Sequence, residues 1–257
     1  MKIAYWYKKH NAVPLADAMV DAFNRAGIDS YLLEDELQDD TDLVVSVGGD
    51  GTVLSLVHKL AFAHLPVLAI NGGSTGFLTQ DYGDLDQLAS RLLDGDYTLV
   101  PKRLLGVYPE DGEEWLALGD VAICRKDAVT AVSVDVSVDG EHVFAFRGDG
   151  VVVATPLGST GYSLSAGGVP MAPSVDALAV TPLAPHSLCV RPFVVSPDAC
   201  IRLEASARDG LCVALDGKVV LTGSDVRLNV SASDKWLQMI QFDNKYFEKL
   251  TDKLATW

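Results

Sequence analysis

The sequence predicts an α/β domain built on a parallel sheet, followed by a domain that is all β. Three observations carry this. Strand-like and helix-like segments alternate from Lys2 to Leu93. From Thr98 onward the helical period gives way to short alternating runs. Two glycine-rich segments in the first part each stand directly after a strand-like run, where an open parallel sheet places its ligand loops. The expected division is residues 1–97, residues 98–244, and a closing helix over 245–257 that folds back onto the first domain.

Lys2 to Trp6 reads as a strand. Pro14 suits a helix start, and Leu15, Ala18, Met19, Ala22, Phe23 and Ala26 keep helical spacing until Gly27 closes the element. Ile28 to Leu33 is a second strand. The acidic run Glu34-Asp35-Glu36, with Asp39, Asp40 and Asp42, reads as a solvated loop, because no spacing holds its carboxylates on one face. The strand Leu43–Val47 enters Gly48-Gly49-Asp50-Gly51-Thr52, and a helix follows through Leu54, Leu56, Val57, Leu60 and Ala61. Pro66 to Ile70 is a strand that runs into Asn71-Gly72-Gly73-Ser74-Thr75-Gly76-Phe77-Leu78-Thr79, and Asp84 to Leu93 is a helix stopped by Gly95.

In the second part Val132–Val138 and Val143–Phe146 flank Asp139-Gly140, a hairpin signal. Separate strands are expected at Val151–Ala154, Ala177–Thr181, Cys200–Glu204, Cys212–Leu215, Val226–Val230 and Leu237–Phe242, with the helix Lys245–Leu254 last.

A hydrophobic content of 49% over 257 residues supports a sizeable core. The formal charge of −15 argues against nucleic acid and against an anionic membrane surface as partners. No apolar run is long enough to span a bilayer, and the first residues read as a strand rather than a signal peptide. Cys124, Cys189, Cys200 and Cys212 lack metal-ligand spacing and read as reduced core thiols of a cytoplasmic protein.

Val151-Val152-Val153 leads into Thr155-Pro156-Leu157-Gly158-Ser159-Thr160-Gly161-Tyr162-Ser163-Leu164-Ser165-Ala166-Gly167-Gly168, with a short helix expected near Ser159. A strand that turns on glycine into a helix start gathers backbone N–H groups and hydroxyls, a surface suited to phosphate and ribose. Together with Gly48-Gly49-Asp50-Gly51 this segment resembles the NAD kinase family. That family carries a Gly-Gly-Asp-Gly signature and a later Thr-Pro-x-Gly-Ser-Thr-Ala-Tyr segment. The resemblance continues through Thr181-Pro182-Leu183-Ala184-Pro185-His186, Arg191-Pro192, Asp216-Gly217 and Phe247-Glu248-Lys249-Leu250, and so covers nearly the whole chain.

The resemblance implies transfer of the terminal phosphoryl of ATP, or of polyphosphate, to the 2′-hydroxyl of the adenosine ribose of NAD. Mg²⁺ is the metal it implies, and a homodimer or homotetramer the assembly. Asp50 falls on the catalytic base. Gly48, Gly49, Gly51, Thr52 and Asn71 fall on the phosphate-facing loops, and Asp120, Arg147, Asp149, Thr160, Gly161, Tyr162, Ser165, Ala184 and Lys218 on dinucleotide contacts. From the residues themselves, Tyr162 is either a ring-stacking or a core tyrosine. Arg147 and Asp149 either bind ligand or belong to a hairpin with an internal ion pair. Lys218 is either a contact or a turn lysine, and His186 reads as structural.

The chain departs from the family at Gly161, where alanine is usual, and in Gly73-Ser74-Thr75-Gly76-Phe77-Leu78. It departs also at Gly119, where asparagine usually precedes the acid. Glycine at 119 is expected to leave a water-filled gap and weaken NAD binding, so that asparagine there would tighten it. Two rivals share parts of the pattern: a non-catalytic dinucleotide sensor, and a lipid kinase with the same Gly-Gly-Asp-Gly loop.

Overall fold

A computed structural model describes residues 1–8, 12–34, 36–60, 64–73, 76–110, 112–127, 129–243 and 245–255. Asp35, Ala61, Ser74 and Thr75, on which parts of the sequence reading fell, lie outside the described residues. The chain divides into two compact units: Met1–Lys102 with Trp236–Trp257, and Arg103–Lys235.

The first unit opens with β1 (Lys2–Trp6), α1 (Val13–Arg25), β2 (Asp29–Leu32), β3 (Leu43–Gly48), α2 (Asp50–Lys59), β4 (Val67–Asn71) and α3 (Leu85–Asp94). These strands pair in parallel in the order β4-β3-β1-β2. Val45 and Val47 face a core with Ala16, Met19 and Phe23 of α1 and Leu88 and Leu92 of α3. Val44 and Ser46, which alternate to the other face, are buried as well. Burial on both faces explains why β3 is apolar at four of its first five positions, Ser46 being the exception. The helix punctuation works locally: Asp84 accepts the Gln87 N–H at the start of α3, and Gly95 (φ 69°) ends it.

β5 (Thr98–Pro109) leads into the second unit, which contains β6 (Trp115–Ala117), β7 (Asp120–Arg125), β8 (Val132–Val138), β9 (Glu141–Gly148) and β10 (Gly150–Ala154). After a 3-10 turn at Gly158–Thr160 come α4 (Tyr162–Ser165), β11 (Leu178–Leu183), β12 (Phe193–Val195), β13 (Ile201–Leu215) and β14 (Lys218–Gln241). The strands run β12-β11-β10-β7-β13-β14, all antiparallel. β13 pairs with β8 over Ile201–Ser206 and with β7 over Leu211–Leu215, so it changes partner along one edge. Aliphatic residues on one face of β7, β8, β10, β11, β13 and β14 form one core, and Ala122, Val152, Ala154 and Leu183 form a smaller cluster on the other face.

Two expectations are corrected here. The strands expected at Cys200–Glu204 and Cys212–Leu215 are one strand, as are those at Val226–Val230 and Leu237–Phe242. Gly210 (φ 94°) lies between the first two and is absorbed at a register shift between Ser206 and Leu211, while the polar stretch 231–236 between the second two continues as strand. The true turn is Asp216-Gly217, with φ of 49° and 78°. It has the same left-handed pair as Asp139-Gly140 (52° and 84°), which closes the β8–β9 hairpin. The end of β14 lies in the first unit, where Met239 and Ile240 pair in parallel with β4, and α5 (Tyr246–Ala255) follows.

Candidate active site

In the first unit both glycine segments lie at the C-terminal ends of neighbouring strands, since β3 and β4 end in register at Gly48 and Asn71. The loops touch directly: the Gly72 N–H donates to the Gly48 carbonyl at 3.0 Å. Gly48 (φ 152°) leaves no room for a side chain, because a Cβ would stand 2.4 Å from Oγ1 of the buried Thr52. Asn71 accepts the Gly73 N–H and donates to Asp81.

Asp50 is the first residue of α2, after Gly49 in extended conformation. A carboxylate at a helix N-terminus is placed favourably toward the macrodipole. Its two oxygens are held by one loop: Oδ2 accepts the Phe77 N–H at 2.9 Å, and Oδ1 accepts those of Leu78 (3.0 Å) and Thr79 (3.3 Å). Gly76 makes the approach possible, since a Cβ there would come 2.3 Å from Asp50 Oδ1. Lys249 of α5 donates its ammonium to the Thr79 carbonyl. Burial is the main cause pushing this lysine below its usual range, while the fields of Asp50 and Asp81 oppose that shift. The Phe77 ring packs against Tyr246 of α5 at 5.9 Å between centroids. Helix α5 thus braces the loop that holds Asp50.

In the second unit the Thr-Pro-x-Gly segment docks on the end of the sheet. Gly119 accepts the Thr155 N–H at 2.8 Å, and Thr155 Oγ1 donates to Leu118 and Gly119. Thr160 is buried, its hydroxyl donating to Leu157. Gly161 precedes α4, and Ser165 Oγ donates to the Gly161 carbonyl. Tyr162 is 47% exposed, which decides against a core tyrosine. Its hydroxyl lies 3.9 Å from Cys124 Sγ, and burial of that end is the main cause raising the phenol to about 12. Asp149 pairs with Arg125 at 3.0 Å, whereas Arg147 is exposed. Ala184 holds a left-handed conformation (φ 41°), and Lys218 is exposed directly after the Asp216-Gly217 turn. His186 is exposed and its N–H donates to the Arg147 carbonyl.

Asp216 gathers the strand end, accepting the N–H groups of Leu118 (2.8 Å), Gly119 (2.7 Å) and Asp120 (3.1 Å). Beside it Asp120 is raised to about 7, by burial first and by the Asp216 charge second.

Models of the ATP-NAD kinase N-terminal and C-terminal domains match residues 8–97 and 118–242. The chain belongs to the ATP-NAD kinase family. It is 36% identical to the NAD kinase of Porphyromonas gingivalis over 226 residues, covering 87% of this chain and 78% of the relative. It is 34% identical to that of Geotalea daltonii over 279 residues, covering 98% of each. Among solved structures, an NAD kinase from Archaeoglobus fulgidus in complex with ATP superposes with a TM-score of 0.81 at 29% identity, covering all of both chains. Yeast NADH kinase complexed with NADH gives 0.85 at 23% identity, covering 99% of this chain and 87% of that one, a likeness of fold.

At Gly119 the space beside the backbone is narrower than the sequence suggested: a Cβ would come 3.1 Å from Asp216 Oδ1 and 3.4 Å from the Gly158 Cα. Gly119→Asn should therefore raise the KM for NAD and lower the melting temperature, because Asp216 is fixed by three amides and cannot retreat freely. Steady-state kinetics beside a melting curve would check this; a lowered KM in a variant of normal stability would restore the earlier expectation.

Sequence reasoning named Asp50 but missed what holds it: Gly76, the amides of residues 77–79 and Lys249. Gly76-Phe77-Leu78 stands out in the sequence as part of a glycine-rich segment, but nothing in it tells that its amides face a carboxylate.

The raised Asp120 has a thermal consequence. A carboxyl whose folded pKa lies above its unfolded value contributes stability that is complete below the unfolded value, 3.8, and is lost as pH rises through about 7. Asp120→Asn cannot ionise. Its melting temperature should gain on that of the parent between pH 5 and pH 8, and parallel pH curves for the two proteins would sink the assignment.

Proposed function

We propose that this chain is an NAD kinase that transfers the γ-phosphoryl of ATP to the 2′-hydroxyl of the adenosine ribose of NAD. The observation that carries the reading is Asp50, a carboxylate at a helix start whose position is fixed by three backbone amides, in a chain of this family. In the transfer the ribose O2′ forms a bond to the γ-phosphorus, the bond from that phosphorus to the bridging β,γ-oxygen breaks, and the hydroxyl proton passes to Asp50. A carboxylate deprotonates a ribose hydroxyl poorly in the ground state. The role of Asp50 is therefore to accept a hydrogen bond, align the oxygen and take the proton late. The dinucleotide would be held by Asp120, Arg147, Asp149, Thr160, Gly161, Tyr162, Ser165, Ala184 and Lys218, with the ring face of Tyr162 against one of its bases. The phosphates would lie on Gly48, Gly49, Gly51, Thr52 and Asn71.

Among the described residues no three His, Cys, Asp or Glu side chains gather into a metal site. Mg²⁺ would enter with the donor as MgATP and supply charge neutralisation at the phosphates. The complex of the 29%-identical archaeal relative favours ATP as donor over polyphosphate. The reading extends to a cytoplasmic homodimer or homotetramer; no described helix is long and apolar enough to cross a membrane.

Incubation with NAD, ATP and Mg²⁺ tests the proposal. NADP should form, and the Asp50→Asn protein should not make it at a comparable rate. NAD binding without product would favour the sensor, and phosphorylation of a diacylglycerol or sphingoid base instead would favour the lipid kinase.

A further inference from the structure

Two of the four cysteines, read from the sequence as scattered core thiols, face each other across a strand pair. Cys124 in β7 and Cys212 in β13 are direct register partners. Two residues further along, the Lys126 N–H donates to the Gly210 carbonyl at 3.1 Å. Antiparallel ladders repeat with period two, so Cys124 and Cys212 form a hydrogen-bonded pair, with Cα atoms about 5.5 Å apart and side chains on one face. That Cα separation lies within the range a disulfide accepts, about 4.4–6.8 Å, while the Cβ atoms of such a pair stand about 5.5 Å apart and must be drawn to within about 4.5 Å for the bond to close. Both thiols are free and partly exposed. On the same face Cys124 packs against the small cluster of Ala122, Val152, Ala154 and Leu183, which Ala166 of the α4 C-cap also covers, and its sulfur lies 3.9 Å from the Tyr162 hydroxyl. Burial chiefly, with Cys212 adding to it, pushes the Cys124 thiol up. Cys124 attacks a partner sulfur only as the thiolate, so its burial slows the closing step and the pairing in register is what favours it.

We propose that Cys124 and Cys212 are a modification site, a dithiol that a peroxide converts reversibly to a disulfide, weakening NAD binding at Tyr162. The coupling to NAD rests on the reading of Tyr162 as a dinucleotide contact. The Cys212 thiolate attacks one peroxide oxygen, the O–O bond breaks, and a sulfenic acid and water result. The Cys124 thiolate then attacks the sulfenic sulfur, the S–S bond forms, and hydroxide leaves as water once protonated. Two thiols and one hydrogen peroxide thus yield one disulfide and two waters. Drawing Cys124 Sγ toward β13 removes the support beneath the Tyr162 hydroxyl.

The test uses the full chain carrying Cys189→Ser and Cys200→Ser, which removes the two exposed cysteines. After hydrogen peroxide treatment, non-reducing peptide mass spectrometry should find Cys124 joined to Cys212. The Kd for NAD should rise roughly fivefold, as loss of a contact worth about 1 kcal/mol implies, and dithiothreitol should restore it. Adding Cys212→Ser, or Cys212→Ala if serine unfolds the protein, should abolish both effects. Absence of the linked peptide from folded protein overturns the proposal. So does a linked protein with unchanged Kd when Tyr162→Ala weakens NAD. If Tyr162→Ala itself leaves the Kd unchanged, the reading of Tyr162 has failed and the coupling falls with it, while the linked peptide still reports on the dithiol.

Discussion

Asp50→Asn should lower kcat by about 10²- to 10⁴-fold, the usual contribution of a positioned base. It should also lower the melting temperature. Both oxygens of Asp50 accept amide hydrogens from the loop at Phe77, Leu78 and Thr79. Asparagine offers one oxygen and one NH₂, so at least one donor would face another donor, at about 1–3 kcal/mol for an unsatisfied group. The two roles separate in kinetics. If Asp50 only ties down the loop, the loosened site should bind substrate more weakly, and saturating NAD and ATP should restore kcat. If it accepts the proton, the deficit should persist at saturation. A saturated kcat within about threefold of the parent would withdraw Asp50 as base.

Gly158→Ala should damage the second unit more than any other small change in the Thr-Pro-x-Gly segment. A Cβ at 158 would lie 2.1 Å from the Gly119 carbonyl oxygen and 2.4 Å from its carbon. These are backbone atoms, and the same carbonyl receives the Thr155 N–H. Relief requires the segment to lift off the end of β7. Overpacking of this kind costs about 1–3 kcal/mol, and rigid surroundings put this site at the upper end. That corresponds to a fall of roughly 6–12 °C in melting temperature for a chain of this size, with NAD binding lost in parallel. Gly161→Ala is the matched control, since a Cβ there would come no closer than 3.3 Å to the Gly158 carbonyl. Equal melting temperatures for the two variants would show that the 119–158 contact is not what fixes the segment.

The chain's own residues determined much of this protein. The period of Leu15, Met19, Ala22 and Phe23 defined α1, and the aliphatic run Leu43–Val47 defined a strand. Asp139-Gly140 set a hairpin, and two glycine motifs in order gave the family. These features are local, written in spacing or in residues that tolerate unusual backbone, so a linear reading finds them. The tertiary structure decided everything that depended on which distant backbone came near. Cys200–Glu204 and Cys212–Leu215 read as separate strands, yet the ladder to β14 resumes past the register shift between Ser206 and Leu211 and joins them. Gly119 looked like an absence, but Asp216 Oδ1 and the Gly158 Cα stand 3.1 and 3.4 Å from where its Cβ would lie. Cys124 and Cys212 looked unrelated at 88 positions apart (212 − 124), until the register of β7 and β13 set them face to face. Asp50 is the sharpest case: its identity is in the motif, while the amides that hold it come from a loop 27 to 29 residues away. Amide groups are common to nearly every residue and leave no mark in a sequence; only the fold says where they point.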